Sequence, residues 1–272
     1  MAHSTPSLAS AHAFDTVNPA SVRQAIRKGY TGYTAGFSPG RVQANICILP
    51  KQYAEDFLLY CQRNPQPCPL LARSDAGDPM LTSLGTDIDI RTDVPLYHVF
   101  EHGELVAEVS DLRGYWRDDL VTFAMGCSFS FEEALIQDGL PLRFLDEGRV
   151  AGVYQTTLMT RAAGAFHAPL VVTMRPFTPA DAIRAIQITS RFPGVHGAPV
   201  HFGDPSRIGV DLGVRYRDVG SGFVGEDEVP VFWACGLTPQ LAAANAKPSL
   251  CITHAPSSML VTDLRNSSLA VF

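Results

Sequence analysis

Polar and apolar positions along the chain fall into two periods, and each period predicts a type of element. Val42, Ala44 and Ile46 alternate with Gln43 and Asn45. That period of two predicts a strand over 42–49 with both amides on one face. Asn18-Pro19 is a helix N-cap followed by a favourable first residue, and Gly29 is a stop, so a helix is expected over 19–28. A Gly-rich loop, GYTGYTAGFSPG, follows it. A helical pattern over 52–63 ends before Pro65, and 70–92 is rich in Gly, Asp, Pro and Thr and reads as loop. A hairpin is expected around His102-Gly103, with strands at 97–100 and 105–109. The middle of the chain predicts strand 120–126, helix 131–138, strands 150–158 and 169–174, and helix 179–190. Beyond Ser206 come short strands, an apolar strand at 229–234, a helix from Thr238-Pro239, and strands at 250–253 and 259–262.

This order predicts an α/β protein. The central β-α-β-β-α run suits a compact two-layer α/β sandwich over 118–192, inserted into a main α/β domain made of 15–117 and 193–272. Residues 1–14 are small and polar and read as a loose tail.

The most informative segment is VTFAMGCSFSFEEAL, 121–135. It reads as an apolar strand, a turn holding Cys127 and Ser128, and a helix. Ser130 and Glu133 have the spacing of a capping box, which makes Ser130 the expected N-cap. Free backbone N–H groups and the helix dipole then converge on the turn, which favours anions and thiolate over thiol. Tight packing of a buried cysteine is the alternative. VPVFWACGLTPQLAAA repeats the logic, with Thr238 as the expected N-cap. Ligands of open α/β sheets lie near such strand ends, so the pair suits a small carboxylate.

Composition narrows the picture. The 272 residues are 46% hydrophobic and 18% charged, which suits one or two well-buried domains. A net charge of −6 argues against a nucleic-acid partner. The six cysteines, at 47, 61, 68, 127, 235 and 251, make no C-x-x-C pair, and no secretory signal is seen, so reduced thiols and a cytoplasmic location are expected. No apolar run approaches the ~20 residues of a membrane span.

Eight stretches, in order, resemble the D-glutamate cyclase-like family, many of whose members are provisionally named hydro-lyases. They are RVQANICILP, NPQPCPLL, TDIDIRTDVPLY, VTFAMGCSFSFEEAL, AGAFHAPLVVTMRPF, RFPGVHGAPVHFGDP, VPVFWACGLTPQ and ITHAPSSMLVTDL. The resemblance implies a two-domain α/β architecture, with a three-layer α/β/α-type part and a smaller two-layer part. It also implies a lyase that eliminates water, closing D-glutamate to 5-oxo-D-proline, and supplies no agreed catalytic set. The family's last motif usually reads THAPGHM, whereas Ser257 and Ser258 stand here.

Lactam formation needs a held α-carboxylate, a polarised side-chain carboxylate and a carrier for protons. Arg175, at a strand end, is the expected carboxylate clamp, with a surface salt bridge as the alternative. Arg91, between Asp89 and Asp93, reads as a local ion-pair residue. Gln43 and Asn45 are candidate substrate-binding amides, with structural hydrogen bonding as the alternative. His254 and Asp263, at two strand ends, are a candidate acid–base pair, or turn-stabilising side chains. His196, His201 and Asp204, in HGAPVHFGD, have a spacing that could hold a metal but is not a recognised zinc signature, with loop structure as the alternative; His196 and Asp204 are candidate binding residues. The expected set is therefore catalytic Cys127, Ser128, His254 and Asp263. Arg175, Gln43, Asn45, Thr238, His196 and Asp204 would contact substrate. No metal and no cofactor is called for, and a homo-oligomer is compatible with the chain. The expected ligand is a small carboxylate or amino acid. A non-catalytic amino-acid or lactam binder and a lactam-opening amidohydrolase are the other readings.

Overall fold

The computed structural model describes residues 14–146 and 149–271. The expected tail lies outside the described residues except for Phe14, which packs edge-on against Tyr30 and Phe37. In chain order the elements are α1 (Pro19–Arg27), β1 (Arg41–Pro50), α2 (Lys51–Arg63), β2 (Leu70–Arg73), β3 (Tyr97–Glu101), β4 (Glu104–Val109) and β5 (Leu120–Gly126). Then follow α3 (Phe129–Gln137), α4 (Arg143–Asp146), β6 (Gly152–Met159), β7 (Pro169–Phe177), α5 (Pro179–Thr189) and β8 (His201–Phe202). The last are β9 (Val229–Ala234), α6 (Leu237–Ala246), β10 (Cys251–His254) and β11 (Leu260–Arg265).

These strands make two antiparallel sheets in a mixed α/β protein. The seven-stranded sheet runs β2-β5-β1-β10-β3-β4, with β11 also paired to β1, and the four-stranded sheet runs β6-β7-β9-β8. β1 is central and is buried at every position after Arg41. Ile46 and Ile48 enter one core with Leu81, Ile88 and Val99. Cys47 and Leu49 enter another with Phe57 and Tyr60 of α2 and Ala242 and Ala243 of α6. A third core sets Phe131 and Leu135 of α3 and Ala182 and Ala185 of α5 against Trp233 of β9. Burial at this scale is the dominant favourable term in folding.

The sheets do not respect the boundaries drawn at 118 and 192. β5 belongs to the larger sheet, held by a ladder from Ala44↔Gly126 to Pro50↔Leu120. β8 and β9 belong to the smaller one, β9 through pairs such as Met174↔Phe232 with β7. Strand pairing at this separation leaves no local signal in the sequence. Both β2, in the stretch read as loop, and the two-residue β8 escape the sequence pattern because neither shows a clean alternation. Among the described residues, no helix is long and apolar enough to cross a membrane.

Candidate functional site

Two strand–cysteine–helix turns meet around Asn45. β5 ends at Gly126, whose carbonyl accepts a 2.8 Å hydrogen bond from Asn45 Nδ2. Gly236, in the second turn, lies so close that a Cβ there would sit 2.5 Å from the Asn45 carboxamide. Gly126 is as tightly enclosed, with Gly194 O 2.2 Å from the position of a Cβ. Both glycines therefore serve close approach, and neither has a positive φ. The ladder of β1 with β5 ends at Ala44↔Gly126, and the next residue of β1, Gln43, pairs with Val261 of β11.

The first turn does not form the expected capping box. α3 starts at Phe129, with Ser128 in the N-cap position and no side-chain capping bond. Ser130 lies inside the helix with its hydroxyl buried and without a partner among the described residues. The helix begins two residues early because Glu132 N–H already bonds the Ser128 carbonyl at 2.9 Å. The acidic residue this brings inward is Glu132, not Glu133. Glu132 forms a buried ion pair with Arg175, and Ser128 Oγ lies 3.2 Å from both Glu132 Oε1 and Arg175 Nη2. Arg175 also donates to Thr173 Oγ1 at 3.0 Å and stands over the rings of Phe131, Phe144 and Trp233. It is 1% exposed. The ion pair is buried, unlike the surface salt bridge weighed as the alternative, and Arg175 Nε is buried without a partner among the described residues.

Cys127 and Cys235 occupy matching places. The backbone N–H two residues on, of Phe129 and Leu237 respectively, pulls each thiol's pKa down. They lie within electrostatic reach of each other and of Glu132 and Arg175. The expected thiolate is nevertheless overturned. Burial pushes Cys127 up to about 12 and Cys235 up to about 11, against the pull of the helix amides. A helix terminus contributes at most ~2 kcal/mol, and desolvation of a thiolate exceeds that here.

His254 is not paired with Asp263. Its Nδ1 accepts the Ile46 N–H at 3.0 Å, and Nε2 lies 3.4 Å from Gln240 Nε2. The ring fills the gap on β1 between its pairing with β10 (Cys47↔Thr253) and with β11 (Ala44↔Leu260). Burial pulls its pKa down to about 4, so it is neutral at pH 7. Asp263 instead binds Arg23 at 2.9 Å, in a network with Asp87, Arg27 and Asp93. Thr238 is not an N-cap: Gly236 holds that position, and the Thr238 hydroxyl accepts Val171 N–H at 3.0 Å, docking α6 on β7. His196 donates from Nδ1 to Gln66 O at 2.7 Å and feels the charge of Arg175. Burial lowers it to about 4 as well. Asp204 is exposed and caps the turn at Ser206, and His201 Nε2 donates to the Asp204 carbonyl, so these polar groups are used in local turn bonding beside β8. Arg91 pairs with Asp89, as its setting suggests.

Beside the first turn opens a cleft of about 780 Å³. Its wall includes Gln43 of β1, Glu132 and Glu133 of α3, and the loop from Tyr33 to Pro39. Arg41, Arg149 and Arg215 are among its lining residues, and Arg41 Nη1 also donates to Asp263 O at 2.6 Å. Arg215 Nε is buried without a partner among the described residues. A volume in this range suits a small-molecule site. Sequence reading missed Glu132 and the three arginines. Ser128 and Glu132 stand at i and i+4 on a helix, a signal hidden by the shifted start.

Comparison with known proteins shows what the chain is similar to. Residues 121–263 match the model of the family described as D-glutamate cyclase. A protein of Afipia carboxidovorans, provisionally named a hydro-lyase, is 71% identical over 259 residues, 95% of this chain and 96% of its own. One of Bordetella pertussis with the same kind of name is 60% identical over 89% of this chain and 87% of its own. A third, from Bradyrhizobium diazoefficiens, is 52% identical over 97% and 98%. The chain belongs to the D-glutamate cyclase family. Among solved structures, a nitrogen repressor-like protein of Methanococcus jannaschii covers 91% of this chain and 96% of its own at 12% identity. Its TM-score is 0.40.

Proposed function

We propose that the protein is a hydro-lyase that closes D-glutamate to 5-oxo-D-proline in the 780 Å³ cleft. The observation that carries this reading is a buried carboxylate, Glu132, on the wall of a cleft that three arginines also reach. The reaction needs both kinds of group. Two protons leave the substrate nitrogen, the nitrogen attacks the side-chain carboxyl carbon, and one oxygen of that carboxylate departs with both protons as water. Glu132 takes each proton from the nitrogen and returns it to the leaving oxygen, as a general base and then an acid. Arg41, Arg149 and Arg215 hold the two carboxylates, a task that suits the guanidinium fork. Arg175 and Ser128 position Glu132. The neutral thiols of Cys127 and Cys235 flank this pair as hydrogen-bonding groups, not as thiolate nucleophiles. The family membership and the names of the relatives support the same reaction class.

Incubation with D- and L-glutamate, followed by proton NMR, tests the proposal. 5-Oxo-D-proline should accumulate from the D enantiomer. Unchanged D-glutamate, together with ligand-induced thermal stabilisation, would establish a binding protein instead.

A further inference from the structure

Gln43 is divided in its duties. Its Nε2 donates to two backbone carbonyls of the Gly-rich loop, Thr34 O at 2.8 Å and Phe37 O at 3.1 Å. Both partners can only accept, so the orientation of the amide is fixed. The remaining atom, Oε1, is buried and has no partner among the described residues. The residue is 3% exposed and lines the cleft. A buried carbonyl with no donor is costly to leave so, and native proteins rarely do.

We propose that Gln43 Oε1 accepts a hydrogen bond from the substrate's ammonium group and makes the cleft selective for primary amino acids over their deaminated and keto analogues. This inference rests on the reading of the cleft as the substrate site. The arginines around the cleft favour carboxylates of any kind and cannot distinguish an amino acid from a plain diacid. An acceptor-only atom can, because it meets only a donor. A keto oxygen in the same place would set two acceptors face to face. The position also fits the chemistry, since Gln43 and Glu132 line the same cleft. Asn266 Oδ1 is a second unpartnered acceptor on the cleft, held beside Glu133 through Nδ2, and it serves as a control.

The test is titration calorimetry of the full chain with two matched pairs, D-glutamate against glutarate and D-aspartate against succinate. The second pair is used because a four-membered lactam does not close readily, so binding is read without turnover. The amino member of each pair should bind roughly tenfold to a hundredfold more tightly, the range of one satisfied buried acceptor. In Gln43→Met that ratio should fall to about one, with diacid binding little changed, and in Asn266→Leu it should persist. Equal affinities in the wild type, or an intact ratio in Gln43→Met, overturn the proposal. If Gln43→Met melts because the loop has lost its brace, a crystal structure of the wild type with D-aspartate decides. The ligand nitrogen should lie about 2.7–3.2 Å from Oε1, and a water molecule there instead overturns the proposal. Selective binding without any lactam product would sink the cyclase reading and leave this one standing.

Discussion

Glu132 of α3 and Arg175 of β7 form an ion pair in which both side chains are buried, at 8% and 1% exposure. It joins the helix that follows a strand of the larger sheet to a strand of the smaller one. Removing one member of such a pair leaves an uncompensated buried charge, which costs about 3–5 kcal/mol. Arg175→Ala should therefore lower the urea midpoint sharply. The double change Glu132→Gln, Arg175→Met should recover part of that loss, because neither charge remains, and should still lack turnover. A double variant no more stable than Arg175→Ala would show that the lost contacts with Phe131, Phe144 and Trp233 matter, not the charge.

Stability should fall as pH drops from neutral toward 4. His254 and His196 each have a folded pKa near 4 against an ordinary 6.5, with burial as the main cause. Between those values the unfolded chain binds more protons than the folded one. The stability contributed is thus fully present above pH 6.5 and is lost as pH falls toward 4, by about 3 kcal/mol for each ring. Urea unfolding at pH 7, 6, 5 and 4.5 reads this directly. His254→Gln should flatten the slope below pH 6.5, and a slope unchanged in that variant would disprove the assignment.

The elements of this fold were legible because their patterning is strong. β1 opens with a clean alternation, β5 and β9 are near-continuous apolar runs, and α1 and α5 carry Asn18 and Thr178 at their N-caps. Sheet membership was not legible, because β9 meets β7 through pairs some sixty residues apart in sequence, such as Val172↔Ala234. The two cysteine turns were visible as motifs, and the structure places them together on Asn45. What they do there was misjudged. The dipole argument for a Cys127 thiolate weighs a local field and omits the desolvation that only the folded state reveals. His254 and Asp263 look alike in sequence, each ending an apolar strand. Yet one splices the ladder of β1 and the other pairs with Arg23.

Cysteine labelling should follow exposure and not helix position. Cys235 is part-exposed, whereas the other five cysteines are buried. Cys127 is pushed up to about 12, so little thiolate exists at pH 7.5. Iodoacetamide followed by peptide mass spectrometry should therefore modify Cys235 first and Cys127 slowly. Rapid, single-site alkylation of Cys127 would restore the activated-thiol reading.

Gly236→Ala should damage the site through packing alone. Gly236 has φ −62°, which any residue adopts, so its conformation does not call for glycine. Space does. A Cβ would stand 2.5 Å from three atoms of the Asn45 carboxamide, closer than any real contact. Asn45 is 6% exposed and is tied to Gly126 O at 2.8 Å, so it has little room to yield. The methyl must displace it, breaking that bond and spreading the two turns apart. Overpacking of this kind costs about 1–3 kcal/mol. Asn45→Ala alone should cost about 1 kcal/mol through the lost hydrogen bond. Combining the two should cost less than their sum, since the truncated side chain vacates the space the methyl needs. A double-mutant cycle by urea unfolding measures that coupling, expected at about 1 kcal/mol or more for residues in direct contact. Simple additivity would mean that Gly236 and Asn45 do not touch, and that the two turns do not converge.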